Sequence, residues 1–256
     1  MWLEFWPPPK KQLKNQTENW TMIRRKTKIL CSVLGIFLIA LLFVTQIWRK
    51  QMPQYNWNEI PDSETEVLIK KINALSSFDM FTPGRSHLTI AELPFYSNFK
   101  LLQATTFSSI PPVTMQYLIS GSGAGAEVIK MDGTRDPIFE NNARGGLILN
   151  AQTVVPYAAF VLDAVQTEQG TLRLVEKVDE ETFTDTPTPQ QRKEVTHLIR
   201  PAKVSETADG FNLDVIMLYG DSVYRADLEV KKDGFIEIKE EELLAEGLPI
   251  RPIFLE

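Results

Sequence analysis

A run of twenty residues without a charged side chain, ILCSVLGIFLIALLFVTQIW at positions 29–48, constrains this chain more than any other feature. A helix needs about 20 mainly apolar residues to cross a hydrocarbon core roughly 30 Å thick. A cleaved signal peptide is disfavoured, because its apolar region is usually shorter and FVTQIWRK offers no small-x-small cleavage site. The sequence therefore predicts an uncleaved transmembrane helix, a signal anchor, at positions 29–48.

Basic residues flank the predicted span unevenly. Seven Lys and Arg side chains precede it and two follow it directly. The positive-inside rule then leaves the N-terminus in the cytosol and exports the rest. The chain is thus predicted to be a single-pass protein of the inner (cytoplasmic) membrane with a periplasmic domain; the mitochondrial intermembrane space is the alternative. The residues predicted to anchor the helix at the two membrane surfaces are Arg24, Arg25, Lys26, Lys28, Trp48, Arg49 and Lys50.

The net charge changes sign across the span. Residues 1–50 carry a net charge of +7, and residues 51–256 carry −13. An acidic domain repels nucleic-acid phosphates and anionic lipid headgroups, which argues against nucleic-acid binding and favours protein partners. The predicted organisation is a basic cytosolic tail rich in proline and aromatic residues (1–28), the span (29–48), a linker (49–61) and an extracytoplasmic domain (62–256).

Hydrophobic periodicity predicts an α+β fold for the exported domain, with helices packed on an antiparallel sheet. Two helices are predicted, at 62–78 with a capping box between Ser63 and Glu66, and at 150–165 with Asn150 as the cap. Asp-Gly and Gly-Asp pairs predict hairpin turns in a C-terminal β-meander, and the polar stretch 185–191 predicts a loop. The predicted strands are 98–107, 113–120, 126–131, 171–178, 194–206, 211–220, 221–232 and 235–241.

A glycine-rich stretch, LISGSGAGAEVIKMDG at 118–133, fits a dinucleotide-binding fingerprint through Gly121, Gly123 and Ala126. That fingerprint requires a helix opening at its last small residue, so that backbone N–H groups and the helix dipole face the pyrophosphate. Here a short strand-like segment follows and runs into a turn. We interpret the stretch as a hairpin tip, and no cofactor is predicted.

The segment VIMLYGDSV at 215–223 resembles the Gly-Asp-Ser block of the GDSL lipases and esterases. That family places a catalytic histidine near the end of its domain. No histidine follows Ser222, and the chain's two histidines, His87 and His197, both precede it. An activated serine needs a base within reach, so this resemblance does not support a catalytic site.

Metal binding finds little support in the sequence. The only cysteine, Cys31, lies in the predicted span, and the two histidines have no zinc-like spacing. Two acidic runs, 177–185 and 239–246, lack the spacing of a calcium loop, so we interpret them as solvated surface. No metal site is predicted.

One weak candidate site remains, formed by Asp132, Arg135 and Asp136 in MDGTRDP. Carboxylates beside a guanidinium suit hydrolysis or ligand binding. An Asp-Gly turn at a strand junction accounts for the same residues without any ligand. The sequence favours the turn, and the binding or hydrolytic site is kept as the alternative.

The leading functional hypothesis is a membrane-anchored interaction or assembly module in a membrane or envelope complex. Its partners would be the lipid bilayer and other membrane or envelope proteins, and an edge strand such as FIEIK at 235–239 could accept a partner strand. Two alternatives are a membrane-tethered hydrolase or ligand-binding protein using the Asp132 site, and a membrane-tethered cytosolic regulator with inverted topology. The apolar C-terminal stretch LPIRPIFLE at 248–256 is predicted to dock on a partner or on a sheet edge.

Overall fold

The computed structural model describes residues 55–178, 182–184 and 186–251, and they form an α+β domain with antiparallel sheets. The predicted span, the residues predicted to anchor it and the last five residues lie outside this part of the chain. Within it, no helix combines the length and the apolarity that crossing a membrane requires.

Five helices lie in the described residues. They are α1 (Asp62–Asn73), α2 (Asp136–Phe139), α3 (Asn142–Gly145), α4 (Val154–Ala164) and α5 (Pro189–Leu198). A single 3₁₀ turn, Gly123–Gly125, adds to them.

Sheet 1 is a five-stranded antiparallel meander whose spatial order follows the chain. Its strands are β1 (Asn58–Glu59), β2 (Ser86–Glu92), β3 (Lys100–Thr106), β4 (Val113–Ser120) and β5 (Glu127–Lys130). Neighbouring side chains of one strand point to opposite faces, and both faces of sheet 1 are buried. Leu101 belongs to one hydrophobic cluster and Leu102 to another.

Sheet 2 holds the predicted C-terminal meander. A small hairpin of β6 (Gln166–Thr167) and β7 (Gly170–Thr171) precedes it. Its strands are β8 (Arg173–Leu174), β9 (Lys203–Glu206), β10 (Gly210–Tyr219), β11 (Ser222–Lys231) and β12 (Ile236–Ala245). The order is β12-β11-β10, and both β8 and β9 pair with the far side of β10. This arrangement leaves β12 at an edge.

Three hydrophobic clusters hold the domain together. The central cluster joins one face of sheet 1, helix α4 and one face of sheet 2. Most residues of α4 are buried, which is expected of a helix covered on more than one side. The second cluster packs α1 on the other face of sheet 1. The third packs α5 and residues 248–250 on part of the second face of sheet 2.

The two predicted helices exist, but their predicted caps are wrong. Helix α1 follows Pro61 and begins at Asp62, so Ser63 already lies in its first turn and no side chain caps it. Helix α4 begins after Thr153, and the Asn150 carboxamide accepts hydrogen bonds from backbone N–H groups one turn earlier.

The region after residue 185 differs most from the prediction. The end of the polar stretch, from Pro189 onward, and the start of the strand predicted at 194–206 form α5, and only Lys203–Glu206 is a strand. Thr188 and Gln191 make a reciprocal capping box at the start of α5, and a proline occupies its first turn. The three predicted hairpin turns, which join β9 to β12 in sequence, are confirmed.

Candidate functional site

Local hydrogen bonds account for the polar residues of the Asp132 turn. Asp132 Oδ1 accepts bonds from the Thr134 backbone N–H at 2.9 Å and from its hydroxyl at 2.7 Å. These bonds from Thr134 lower the pKa of the exposed Asp132 carboxyl. The Asp136 backbone N–H donates to Thr134 Oγ1 at 3.3 Å at the start of α2. The pattern is that of an Asx turn leading into a helix.

Arg135 contacts aromatic rings rather than its neighbouring carboxylates. Its guanidinium carbon lies 5.6 Å from the ring centroids of both Phe139 and Phe235. Among the described residues no ion pair joins it to Asp132 or Asp136. A cation over two ring faces stabilises the packing of α2 beside the β11–β12 hairpin. The three predicted residues are therefore close together, but their contacts are those of a turn and a packing site.

The glycine-rich stretch forms the tip of the β4–β5 hairpin, as predicted. The two strands pair antiparallel from Tyr117–Lys130 to Ser120–Glu127. Gly121 and Gly123 have positive φ angles, and a single 3₁₀ turn follows. A turn this short offers no helix N-terminus for a pyrophosphate.

The remaining candidate catalytic groups lie on separate elements. His87 is in β2 and His197 is in the last turn of α5. Ser222 opens β11, is buried, and donates its hydroxyl to Asp221 at 3.0 Å. No group of three or more potential metal ligands occurs in the described part of the chain.

A buried polar network joins elements that sequence reasoning did not connect. Tyr96 donates its hydroxyl to Asn142 Oδ1 at 2.5 Å. Asn142 Nδ2 donates to the Tyr157 hydroxyl at 2.8 Å and to the Asp233 carbonyl at 2.9 Å. Tyr157 in turn donates to the Gly234 carbonyl at 2.8 Å. One carboxamide thus links the β2–β3 connection, helix α4 and the β11–β12 turn.

Asp163 in α4 is the second interior polar group that the sequence did not single out. Burial raises its pKa to about 7, although Arg173 and a hydrogen bond from Thr171 act in the opposite direction. The Thr171 hydroxyl donates to Asp163 Oδ1 at 3.2 Å. Burial and the Asp163 charge also raise the pKa of Tyr55. Because the groups that contact Asp163 or act on its charge are side chains of the domain itself, we interpret this cluster as a structural element of the interior.

The outer edge of β12 is the longest unpaired strand edge among the described residues. Strand β12 is ten residues long, and no described strand pairs with the side turned away from β11. Its ladder with β11 is interrupted twice, because Lys239 and Leu244 have no partner across the ladder. These are β-bulges, which increase the local twist of an edge strand.

The side chains of β12 divide by face. Ile238 and Leu243 pair with Leu228 and Tyr224 and remain 38% and 48% exposed. The opposite face is open to solvent over its β11–β12 part. It is called the open face of sheet 2 from here on, and it comprises Asp214, Arg225, Asp227, Glu229, Glu237, Lys239, Glu240 and Glu242.

Cations neutralise the open face unevenly. Near β10, Asp214 accepts bonds from Arg200 at 2.6 Å and from Arg225 at 3.0 Å. Burial alone would raise the pKa of Asp214, but the bonds from Arg225 and Arg200 outweigh it and lower that pKa. On β12, Lys239 contacts Glu229 and Glu237 at 2.6 and 2.7 Å.

Near the middle of β12, carboxylates lack a cationic partner among the described residues. Asp227 lies directly opposite Glu240 in the ladder. Neither these two carboxylates nor Glu241 has a Lys or Arg nitrogen within 4.0 Å in the described ranges. Unbalanced negative charge therefore collects beside the unpaired edge.

The C-terminal stretch packs within the domain as far as it is described. Leu248 and Ile250 are buried in the third cluster, and Thr184 donates its N–H to the Pro249 carbonyl at 2.8 Å. Of the predicted docking segment, residues 248–251 contact their own domain and residues 252–256 lie outside the described residues.

The chain matches no known family model, and comparison with curated proteins and with solved structures finds no significant similarity.

Proposed function

We propose that this chain is a single-pass inner-membrane protein whose acidic extracytoplasmic domain binds other membrane or envelope proteins along the outer edge of β12. The observation that carries the proposal is the ten-residue unpaired edge of sheet 2. An unpaired edge presents backbone N–H and C=O groups that a strand from another protein satisfies.

The anchor and the topology rest on the sequence. Residues 29–48 have the length and apolarity of a span, and the cations before them favour a cytosolic N-terminus. The domain charge of −13 supports protein partners rather than nucleic acids or anionic lipids. The Asp132 turn receives no function, because its hydrogen bonds and cation–π contacts account for it.

One labelling experiment tests both location and docking. Cys31, the only cysteine, is replaced by alanine, and a cysteine is introduced as Glu241→Cys on β12 of the full chain. A membrane-impermeant maleimide should label this position in intact spheroplasts. In a separate, unlabelled sample, a maleimide–amine cross-linker should join the same position to a discrete partner.

The matched control is Lys193→Cys, an exposed position on α5. It should be labelled equally but should give no discrete cross-link. Labelling only after the membrane is permeabilised would place the domain in the cytosol and support the regulator alternative. A labelled but uncross-linked Glu241→Cys chain would overturn docking at β12.

A further inference from the structure

We propose that β12 accepts an extended segment that alternates basic and apolar side chains, and that this segment adds to sheet 2 as a sixth strand. The inference rests on the proposed function and specifies the chemistry of the partner. It follows from three features of the same edge: outward backbone groups, exposed apolar side chains on one face, where Glu241 also lies, and the unbalanced carboxylates Asp227 and Glu240 on the other.

The β11–β12 turn shows which backbone groups face outward. Lys231 donates its N–H to the Phe235 carbonyl at 2.9 Å, which closes the hairpin. Antiparallel ladders alternate hydrogen-bonded and non-hydrogen-bonded pairs. The pairs Val230–Ile236 and Leu228–Ile238 are then the non-hydrogen-bonded ones. The N–H and C=O groups of Ile236 and Ile238 therefore point away from β11, toward an incoming strand.

The two faces of the edge select the side chains of that strand. Ile238 and Leu243 leave apolar surface exposed on the face that carries the central core. On the open face, Glu240 and Asp227 repel each other without a cation within salt-bridge distance. A strand whose side chains alternate basic and apolar covers the first surface and neutralises the second.

A second copy of the chain does not fit this edge. Antiparallel pairing of two β12 strands brings carboxylates of one copy close to those of the other, because Glu240, Glu241 and Glu242 are consecutive near the middle of the strand. Like charges facing each other across strands are destabilising.

The test uses the full chain in detergent micelles and three fluorescent peptides of seven residues. One alternates lysine with valine or threonine, one replaces each lysine by glutamate, and one keeps the lysines but has a central proline. Fluorescence anisotropy should show that the lysine peptide binds and that its binding weakens as salt increases. The glutamate peptide should bind at least roughly tenfold more weakly. The proline peptide should not bind. Equal binding of the lysine and proline peptides would reduce the interaction to nonspecific charge attraction and overturn the inference.

Two variants locate the binding. Ile238→Pro removes an outward N–H that makes no bond to β11, and it should abolish peptide binding. The triple charge reversal Glu240→Lys, Glu241→Lys and Glu242→Lys keeps the backbone and should transfer the preference to the glutamate peptide. Unchanged preference in the reversed chain would refute the assignment even if the proline variant fails to fold.

Failure of this inference differs from failure of the proposed function. If the cross-link at position 241 forms in cells but the peptides show no charge preference, β12 is a docking edge for a partner of other chemistry. If neither the cross-link nor peptide binding is observed, both proposals fail.

Discussion

The two sheets of this domain differ in how much of each is covered. Sheet 1 is buried on both faces, between α1 and the central core, and its edges are the short strands β1 and β5. Sheet 2 is covered on one face and on part of the other, and it ends in the ten-residue strand β12. Long unpaired edges promote unwanted pairing, and natural proteins blunt them with charges and bulges. Strand β12 has both charged side chains and β-bulges, and these disfavour unwanted pairing along its exposed edge.

The comparison separates two kinds of residue. Substitutions in sheet 1 or at its junction with sheet 2 should change the stability of the domain. Substitutions on the outer edge of sheet 2, along β12, should leave stability nearly unchanged and alter binding. Three predictions test this separation, beginning with the largest effect.

Gly234→Ala should destabilise the domain most. Gly234 has φ +90°, and an added Cβ would lie 2.4 Å from both Asn142 Nδ2 and the Tyr157 hydroxyl. Left-handed strain and disruption of a buried hydrogen-bond network together should lower the free energy of unfolding by about 4 kcal/mol. Urea unfolding of the full chain in detergent measures the change.

Gly247→Ala is the matched control for that change. Gly247 also has a positive φ, +67°, but no atom lies within 4 Å of its added Cβ. Gly247→Ala should therefore lower the free energy of unfolding only through backbone strain, by about 1 kcal/mol. Equal losses at the two glycines would show that the Asn142 network contributes little to stability.

A pair of leucine truncations compares the sheets directly. Leu102 in β3 is fully buried, whereas Leu243 in β12 is largely exposed. Leu102→Ala should cost about 3 kcal/mol through lost burial and a residual cavity. Leu243→Ala should cost less than about 0.5 kcal/mol, since surface substitutions seldom change stability. Similar losses at both sites would mean that something covers β12 in the isolated protein.

Two aspartates should give pH dependences of opposite sign, which are small per pH unit. Asp163 has a folded-state pKa of about 7, above its unfolded value of about 3.9. The folded protein then binds the extra proton between these values, so its stability falls as pH rises from about 4 to 7. Asp163→Asn should remove that slope. As pH rises through this window, the free energy of unfolding of the variant should increase relative to that of the original chain by on the order of 1 kcal/mol per pH unit.

Asp214 is expected to act with the opposite sign. Its folded-state pKa is lowered, so its contribution is complete above the unfolded pKa of about 3.9 and is lost as pH falls below it. Asp214→Asn should therefore lower the free energy of unfolding at neutral pH, and this loss should be smaller in acid. Unfolding curves of both variants from acid to neutral pH measure the two slopes, and parallel slopes would contradict the distinction between interior and open face.

The parts of the fold that follow local patterns were predictable. The strands β10, β11 and β12 alternate in hydropathy and are separated by turn residues such as Asp233 and Gly234, whose conformational preferences act within a few residues. Helix α5 also had a local signal, the Thr188–Gln191 capping box with a proline between its members. The β-branched residues that follow it, Val195, Thr196 and Ile199, favour a strand instead, so the local preferences of this segment conflict.

The junction between the sheets could not be predicted from one sequence. Tyr96 and Asn142 are 46 residues apart, and Asn142 and Asp233 are 91 apart. No periodicity or spacing marks an asparagine that will be buried between distant elements. The raised pKa of Asp163 has the same origin, because it depends on burial that only the packed domain creates. The candidate edge is an intermediate case: the sequence indicated an edge strand, but not its bulges or its unbalanced charges.

The Asn142 carboxamide also determines how the domain comes apart. Its partners belong to α4, to the segment after β2 and to the hairpin of sheet 2. Separating any of them leaves a buried amide or phenol without its partner, and such groups are costly inside proteins. The two sheets therefore form one cooperative folding unit, in which partial opening of either sheet is more costly than its own contacts alone would make it.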